Sequence, residues 1–498
     1  MDALTKYFFL AHIPITLLVD LSPLYPNRGF FALSHWIKQF YLSTFNDPLV
    51  GGLSNPGGWF ASLLFLEGVV QLPHSPLTRL VVISYSAQVA TATWACLFEC
   101  LSFPATTVSV PQKLCLIGFY VPYLVIPSLM GWHNAVAIAS TMEENREELQ
   151  YLRQRPLAGA TTVRKRIMIT GANSGVGFGI VQQVIHQNSI ALALKDIKIT
   201  FVLTVRDQAK ADSILFRLKD ERAKYGTSIV FDFVYMDLLS MDSIDSAADK
   251  VIDLSNADMP LDVLICNAGM VEVIKIDLIK ATLQAIFHPV EAISQPNYKV
   301  QKLGSKTRDG IATTFQANYF GHYYLVHKLS DKKVLTADSA VIWMSSMEAT
   351  AGALISTDVQ ALTHRKSYES SKRVIDVSWS ARQATAAVPE YLVHPGYCTT
   401  NILSGAVSKL LNPAWTNVFH IVRMCGMKFH VATAYNGAYA ASKIALNPEQ
   451  YDQRKKWGSA LSRSGIPYVC ETEYDAITPK DETSVANEVD RLINTFLQ

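Results

Sequence analysis

Arg166-Ile-Met-Ile-Thr-Gly-Ala-Asn-Ser-Gly-Val-Gly-Phe-Gly179 decides how this chain has to be read. An apolar run ends at Thr170, Gly171, Gly175 and Gly177 follow at spacings of four and two, and a second apolar period begins at Phe178. The pattern predicts a strand, a tight glycine turn and the start of a helix. A side chain in such a turn would keep a pyrophosphate away from the backbone. The helix start then offers the anion unpaired N–H groups and the positive end of a dipole. Thr170, Gly171, Asn173, Ser174, Gly175, Val176 and Gly177 are therefore candidate cofactor-binding residues. Such a turn can also be nothing more than a turn, so the weight falls on what surrounds it.

Downstream, strand-like runs at Ile199–Val205, Ile229–Tyr235, Asp262–Cys266, Ala340–Met344 and Glu390–His394 alternate with helical patterns such as Asp207–Tyr225. Alternation of this kind predicts βαβ units and a doubly wound parallel sheet, and with the glycine turn on its first strand a Rossmann domain. Thr204-Val-Arg206 closes the second strand. An acidic side chain there would meet a ribose 2′-OH, whereas the planar fork of an arginine suits a 2′-phosphate. Arg206 thus favours NADPH, although Asp207 beside it could act on the ribose or merely cap a helix. Asp237 is placed either to bond an adenine amino group or to cap the next helix. Asn267-Ala-Gly269 follows the fourth strand with small residues that let a cofactor approach.

Chemistry enters with Tyr368 and Lys372, four residues apart and so on one helical face. A phenol is a poor acid at neutral pH, and an adjacent ammonium is expected to lower its pKa. Val341-Ile-Trp-Met-Ser-Ser346 ends a strand with a hydroxyl able to hold a carbonyl, and His394-Pro-Gly396 makes a further turn. In this order the set resembles the short-chain dehydrogenase/reductase family over residues 165 to 498. The resemblance implies that Tyr368 gives a proton to a carbonyl oxygen and Lys372 binds the nicotinamide ribose. It gives Ser346, or its neighbour Ser345, the carbonyl, and makes Asn318 part of a water relay. Pro395, Gly396 and Thr400 would lie against the nicotinamide. The segments Gly269–Asn318 and Ser346–Tyr368 are longer than in most members. With Thr314-Phe-Gln-Ala-Asn-Tyr-Phe-Gly-His-Tyr-Tyr-Leu325, Trp343-Met-Ser-Ser-Met-Glu348, Tyr368-Glu-Ser-Ser-Lys-Arg373 and Lys456-Trp-Gly-Ser459 they resemble the fungal 3-keto-steroid reductase branch of sterol C4 demethylation.

At 498 residues more than one domain is expected. A net charge of +2 gives no electrostatic case for nucleic acid, and seven cysteines in no paired spacing speak for a reducing compartment. Mean hydropathy is +0.16, and the apolar excess sits in the first 140 residues. Four runs there, near Lys6–Leu24, Trp59–Leu80, Val81–Phe103 and Leu114–Ser140, approach the ~20 residues that a spanning helix needs. They predict a four-helix transmembrane bundle over 1–140, then a charged helical linker over 141–164 and the Rossmann domain over 165–498. The basic residues after the fourth run place that domain in the cytosol. Asp20, Asp47 and Glu67 are acidic residues within or between the apolar runs, and such groups usually mark a site.

Ile13-Pro-Ile-Thr-Leu-Leu-Val-Asp20, Asn46-Asp-Pro-Leu49, Trp59-Phe-Ala-Ser-Leu-Leu-Phe-Leu-Glu67 and Tyr120-Val-Pro-Tyr-Leu-Val-Ile-Pro127 resemble the EXPERA group of endoplasmic-reticulum proteins, the sigma-2 receptor among them. The resemblance implies a sterol or amine pocket lined by Asp20, Asp47 and Glu67. The expectation for the whole is a membrane-anchored, NADPH-dependent 3-keto-steroid reductase of the endoplasmic reticulum, with other C4-demethylation enzymes as possible partners and no metal. A bifunctional sterol isomerase–reductase, and a sterol receptor with a secondary reductase, remain open. From Leu403 to Ala441 the apolar composition fits either a substrate lid touching the bilayer or ordinary core helices.

Overall fold

In the computed structural model the chain divides into two compact units, residues 1–154 and 155–498. The structure describes residues 76–102, scattered positions between 109 and 146, 162–255, 260–399, 419, 422–423, 426–463 and 465–497.

In the first unit helix α1 spans Pro76–Ser102. Proline suits a first helical turn, where its missing N–H has no partner to lose. The break expected between Leu80 and Val81 is absent, because an arginine is a good helix former and Arg79 alone cannot end the run. Trp94, Phe98 and Leu101 face outward while Ser86 and Thr93 are buried. A Cβ on Gly131 would come within 3.0 Å of the Cβ of Ser86, so the backbone at Gly131 packs closely on that face. Leu114–Ser140 is helical at the positions described. Among the described residues no helix is long and apolar enough to cross a membrane. Lys6–Leu24, nearly all of Trp59–Leu80, and Asp20, Asp47 and Glu67 lie outside the described residues.

The second unit carries strands β1 (Val163–Ile169), β2 (Ile197–Val205), β3 (Ile229–Tyr235), β4 (Val263–Cys266), β5 (Val273–Ile276), β6 (Lys299–Gln301), β7 (Ala340–Met344), β8 (Glu390–His394), β9 (Tyr397–Thr399), β10 (His430–Thr433), β11 (Lys456–Leu461) and β12 (Pro467–Thr472). Eight of them form one sheet in the order β12-β11-β8-β7-β4-β1-β2-β3. Every pairing is parallel except β11 with β12. The interior strands β4, β7 and β8 are buried at every residue, β4 and β7 being continuous apolar runs as a sheet covered on both faces requires.

Helices α2 (Gly175–Gln187), α3 (Gln208–Arg217) and α4 (Met241–Leu254) follow β1, β2 and β3. An insertion after β4 holds the antiparallel β5–β6 pair with α5 (Leu278–Phe287) and α6 (Pro289–Ser294). Then come α7 (Gly321–Asp331), α8 (Ser367–Arg382), α9 (Tyr439–Leu446) and α10 (Pro479–Phe496). One core face joins the sheet to α4, α7, α8 and α10, and the other joins it to α2, α3 and α9. The strand order reverses between β1 and β4, which in an open α/β sheet is where a ligand crevice opens.

One expectation changes. The helix expected over Asp207–Tyr225 breaks at Leu218 into α3 and a short Lys219–Tyr225 helix. Of the two readings of Leu403–Ala441, lid or core, residues 430–441 take the core one. His430–Thr433 is a strand, and the small Ala438, Ala440 and Ala441 are wholly buried, with Ala438 close against Gly179 on α2. Most of the stretch from 400 to 425 lies outside the described residues.

Glu390 closes the core under α8. It accepts Trp343 Nε1 at 3.0 Å and Arg382 at 2.8 and 3.2 Å. Removing one partner of a buried pair leaves the other charge unpaired, at a cost of about 3–5 kcal/mol. Glu390→Ala should therefore lower the melting temperature of the purified chain by several degrees, followed by circular dichroism. An unchanged melt would show that the pair contributes nothing to stability.

Candidate active site

Thr170, the last polar residue before the glycine turn, is a hub. Its Oγ1 accepts N–H groups of Asn267 and Ala268 at 2.9 and 3.0 Å and meets His322 Nε2 at 2.9 Å. Asn267 Nδ2 returns a bond to the Thr170 carbonyl at 2.9 Å. Burial holds His322 neutral, down to about 3, with Lys372 adding to the effect. These bonds tie the loop after β1 to the loop after β4. Gly171 N–H donates to Thr204 Oγ1 at 3.2 Å and brings in the end of β2.

Within the turn Gly171 adopts φ +66°, a left-handed conformation that favours glycine. A Cβ on Gly177 would lie 2.4 Å from the Gly171 carbonyl oxygen and 2.5 Å from Asn267 Nδ2. Ser174 caps α2 in extended backbone without spending its side chain on the helix, so the amides of the first turn are left for a ligand. Asn173 sits beneath Arg217, which donates to its carbonyl at 3.1 Å and stacks 3.3 Å over the Phe178 ring.

At the end of β2 Arg206 is exposed, while Asp207 is committed to capping α3, its Oδ1 accepting Lys210 N–H at 2.9 Å. Asp237 is not the cap of α4. Ser240 fills that place, accepting Ser243 N–H, and Asp237 instead accepts Leu239 N–H at 3.1 Å in a local turn. A carboxylate three residues before the first helical turn is too far back to reach its amides.

Asn318 lies in one wide helical turn, Gln316–Phe320, just ahead of α7. Such π turns are frequent at functional sites because they re-aim a side chain. Asn318 accepts Met270 N–H at 2.7 Å and donates to the Met270 carbonyl at 3.0 Å and to Ser371 Oγ at 2.9 Å. A Cβ on Gly269 would fall 3.1 Å from Asn318 Oδ1 and 3.8 Å from Lys372 Nζ, so small residues are required where these three converge. Lys372 is buried on α8 and donates to the Met344 carbonyl at 2.6 Å. Burial pulls its ammonium down to about 8, with Asp376 opposing and Lys456 assisting.

Ser346 stands near enough to Tyr368 to act on its phenol as a hydrogen-bonding neighbour. Ser346 rather than Ser345 is the available hydroxyl, because Ser345 is buried and donates to Asp376. The expected lowering of the phenol is reversed. Burial and then the Glu348 carboxylate push Tyr368 up, against the pull of the Ser346 bond. Lys372 lies 5.9 Å from the ring centre with its proton aimed at a carbonyl, too far to dominate.

The sequence reading assigned no role to Lys299, Gln301, Glu348 or Lys456. Lys456 donates to Asp376 Oδ2 at 2.7 Å and to the Ser346 carbonyl at 3.1 Å, which fixes the loop carrying Ser346. Gln301 Oε1 accepts Tyr368 N–H and Ser367 Oγ, both at 2.9 Å. No spacing in the sequence links these residues to α8. Pro395-Gly396 stands at the end of β8, with Gly396 N–H on His394 Nδ1 at 3.0 Å; Thr400 lies outside the described residues.

A doubly wound sheet, a glycine turn at its switch point and a Ser346–Tyr368–Lys372–Asn318 cluster define an oxidoreductase of the short-chain dehydrogenase/reductase class. Similar proteins narrow this. The 3-keto-steroid reductase of Schizosaccharomyces pombe is 31% identical over 330 residues, 66% of this chain and 96% of the relative. That of Saccharomyces cerevisiae is 30% identical over 322 residues, 63% and 90% of the two chains. The chain belongs to the 3-keto-steroid reductase family. Residues 33–134 match EXPERA, the EXPanded EBP superfamily.

Gly177→Ala places a methyl group against the Gly171 carbonyl and should weaken binding of a reduced nicotinamide dinucleotide by roughly tenfold or more, about 1.4 kcal/mol at least. Fluorescence titration of the folded variant measures this. Wild-type affinity would put the cofactor elsewhere.

Proposed function

We propose that this enzyme uses NADPH to reduce the 3-keto group of a sterol intermediate, working at the endoplasmic-reticulum membrane. The observation that carries the reading is the convergence of Ser346, Tyr368, Lys372 and Asn318 beside the glycine turn in a chain of this family. The residues of the crevice suit a dinucleotide: the open amides of Gly175, Val176 and Gly177 would hold its pyrophosphate, Asp237 its adenine end, and Asn267-Ala-Gly269, Pro395 and Gly396 its nicotinamide end, with Thr400, outside the described residues, added on the resemblance alone. Bound there, it supplies the hydride. Arg206, exposed and uncommitted while Asp207 caps α3, suits a 2′-phosphate and supports NADPH over NADH.

The chain's own groups supply the proton and the geometry. Ser346 Oγ and the Tyr368 hydroxyl hold the ketone oxygen, and Tyr368 gives its proton to that oxygen as the alcohol forms. A phenol pushed up by burial stays protonated until it is needed. An ammonium pulled down to about 8 then lies below it, so returning a proton from Lys372 to the phenolate is downhill. Asn318 fixes the backbone at Met270 and the helix beside Lys372, a frame for a water relay.

The first unit would bind a sterol, with Asp20, Asp47 and Glu67 in its pocket, and hold the reductase at the membrane, its active site on the cytosolic side. Support comes from the EXPERA match and from the exposed Trp94, Phe98 and Leu101 on α1. Tethering raises the effective concentration of a ketone that resides in lipid. Other enzymes of sterol C4 demethylation are candidate partners.

With detergent-solubilised protein, NADPH oxidation should depend on an added 3-keto sterol, and Tyr368→Phe should lower kcat by roughly 10²–10⁴-fold. Tyr368→Phe turning over at the wild-type rate would remove the proton-donor role. Arg206→Ala should raise KM for NADPH by about tenfold while leaving NADH little changed. Equal effects on both cofactors would show that Arg206 does not read the 2′-phosphate.

A further inference from the structure

The insertion after β4 delivers a second lysine to the catalytic tyrosine. Lys299 on β6 has its Nζ 5.8 Å from the Tyr368 ring centre, matching Lys372 at 5.9 Å. It donates to Glu348 Oε2 at 2.6 Å and lies 3.7 Å from Glu369 Oε1. All three side chains are largely buried, at 5, 17 and 15% exposure. Gln301 pins the same carboxylate, donating to Glu369 Oε2 at 2.6 Å. Glu348 N–H donates to Ser346 Oγ at 3.1 Å, so this loop also holds the hydroxyl that meets the ketone. A buried cation and two carboxylates around a proton donor are more than packing requires, since each desolvated charge costs free energy.

We propose that Glu348 is a positioning residue that acts through Tyr368: its carboxylate, fixed by Lys299, keeps the tyrosine as a phenol and so commits the site to ketone reduction. This rests on the reading of Tyr368 as the proton donor. Reduction consumes the phenol, whereas oxidation of an alcohol needs the phenolate. The groups facing Tyr368 are Lys372 and Glu369 on α8, Glu348 and Ser346 after β7, Lys299 on β6, and Cys398 on β9. Both lysines favour the phenolate. Glu348 cancels one of them at hydrogen-bond distance, and it also holds Tyr298 and Tyr397 protonated, in support of burial. Its own carboxyl is raised by burial and by Glu369 and drawn back by Lys299.

The test is the pH profile of kcat/KM for NADPH-dependent reduction of a 3-keto steroid by the full chain, carried from about pH 6 to above pH 11 so that ionisation of the phenol, raised above its ordinary ~10, is read apart from that of Lys372 at about 8. Glu348→Gln leaves Lys299 opposed only by Glu369 at 3.7 Å, and the alkaline fall set by the phenol should move down by about one pH unit. Glu348→Asp keeps the charge and should keep the wild-type limb. If Glu348→Gln fails to fold, Lys299→Gln is read instead, and its limb should move up. A variant slowed equally at every pH, with the limb unmoved, overturns the proposal and leaves Glu348 a structural residue. Wild type inactive on every 3-keto steroid tried would overturn the functional reading itself, whereas an active wild type with an unmoved limb overturns this inference alone.

Discussion

A lysine ammonium stays in a protein interior only where oxygen surrounds it, and Lys372 sets that condition for the whole second unit. The Met344 carbonyl takes its proton at 2.6 Å, which requires β7 to end where it does and α8 to pack directly on that end. Asn318 then ties the loop after β4 to Ser371, one residue before the lysine. Behind it Asp376 and Lys456 form a second buried pair, at 0 and 4% exposure, that spans α8 and β11 and takes hold of the Ser346 carbonyl. The catalytic geometry is thus made of the same bonds that close the sheet's centre, and loosening one loosens both.

Electrostatics around Tyr368 run against the simplest picture of an amine sharpening a phenol. Burial disfavours the phenolate, and Glu348 disfavours it further. Under the proposed reading of Tyr368 as proton donor this is the useful direction, because the donor would be loaded at working pH and Lys372, pulled down to about 8, would reload it. The insertion after β4 takes part in this balance through Lys299 and Gln301 and not only as an ornament on the fold.

On α1 Trp94 and Phe98 point outward, while Val82, Tyr85, Ser86, Thr93 and Leu97 are buried, and the backbone at Gly131 packs closely against Ser86. Residues 33–134 match EXPERA, so an EXPERA segment and a reductase share one chain.

Much of this was legible in the residues alone. The glycine turn, the parallel strands at Ile229–Tyr235, Ala340–Met344 and Glu390–His394, and the Tyr368–Lys372 face depend on local spacing, which is a property of neighbours in sequence. Where several readings competed, sequence could not choose: Asp207 caps a helix, Asp237 does not, Ser346 rather than Ser345 is free, and residues 430–441 are core rather than lid. The place of β11 beside β8 and the Lys299–Glu348–Tyr368 cluster were invisible for a related reason. Their partners lie tens of residues away, and burial, which fixes both the sign of a pKa shift and the worth of an ion pair, exists only once the chain has folded.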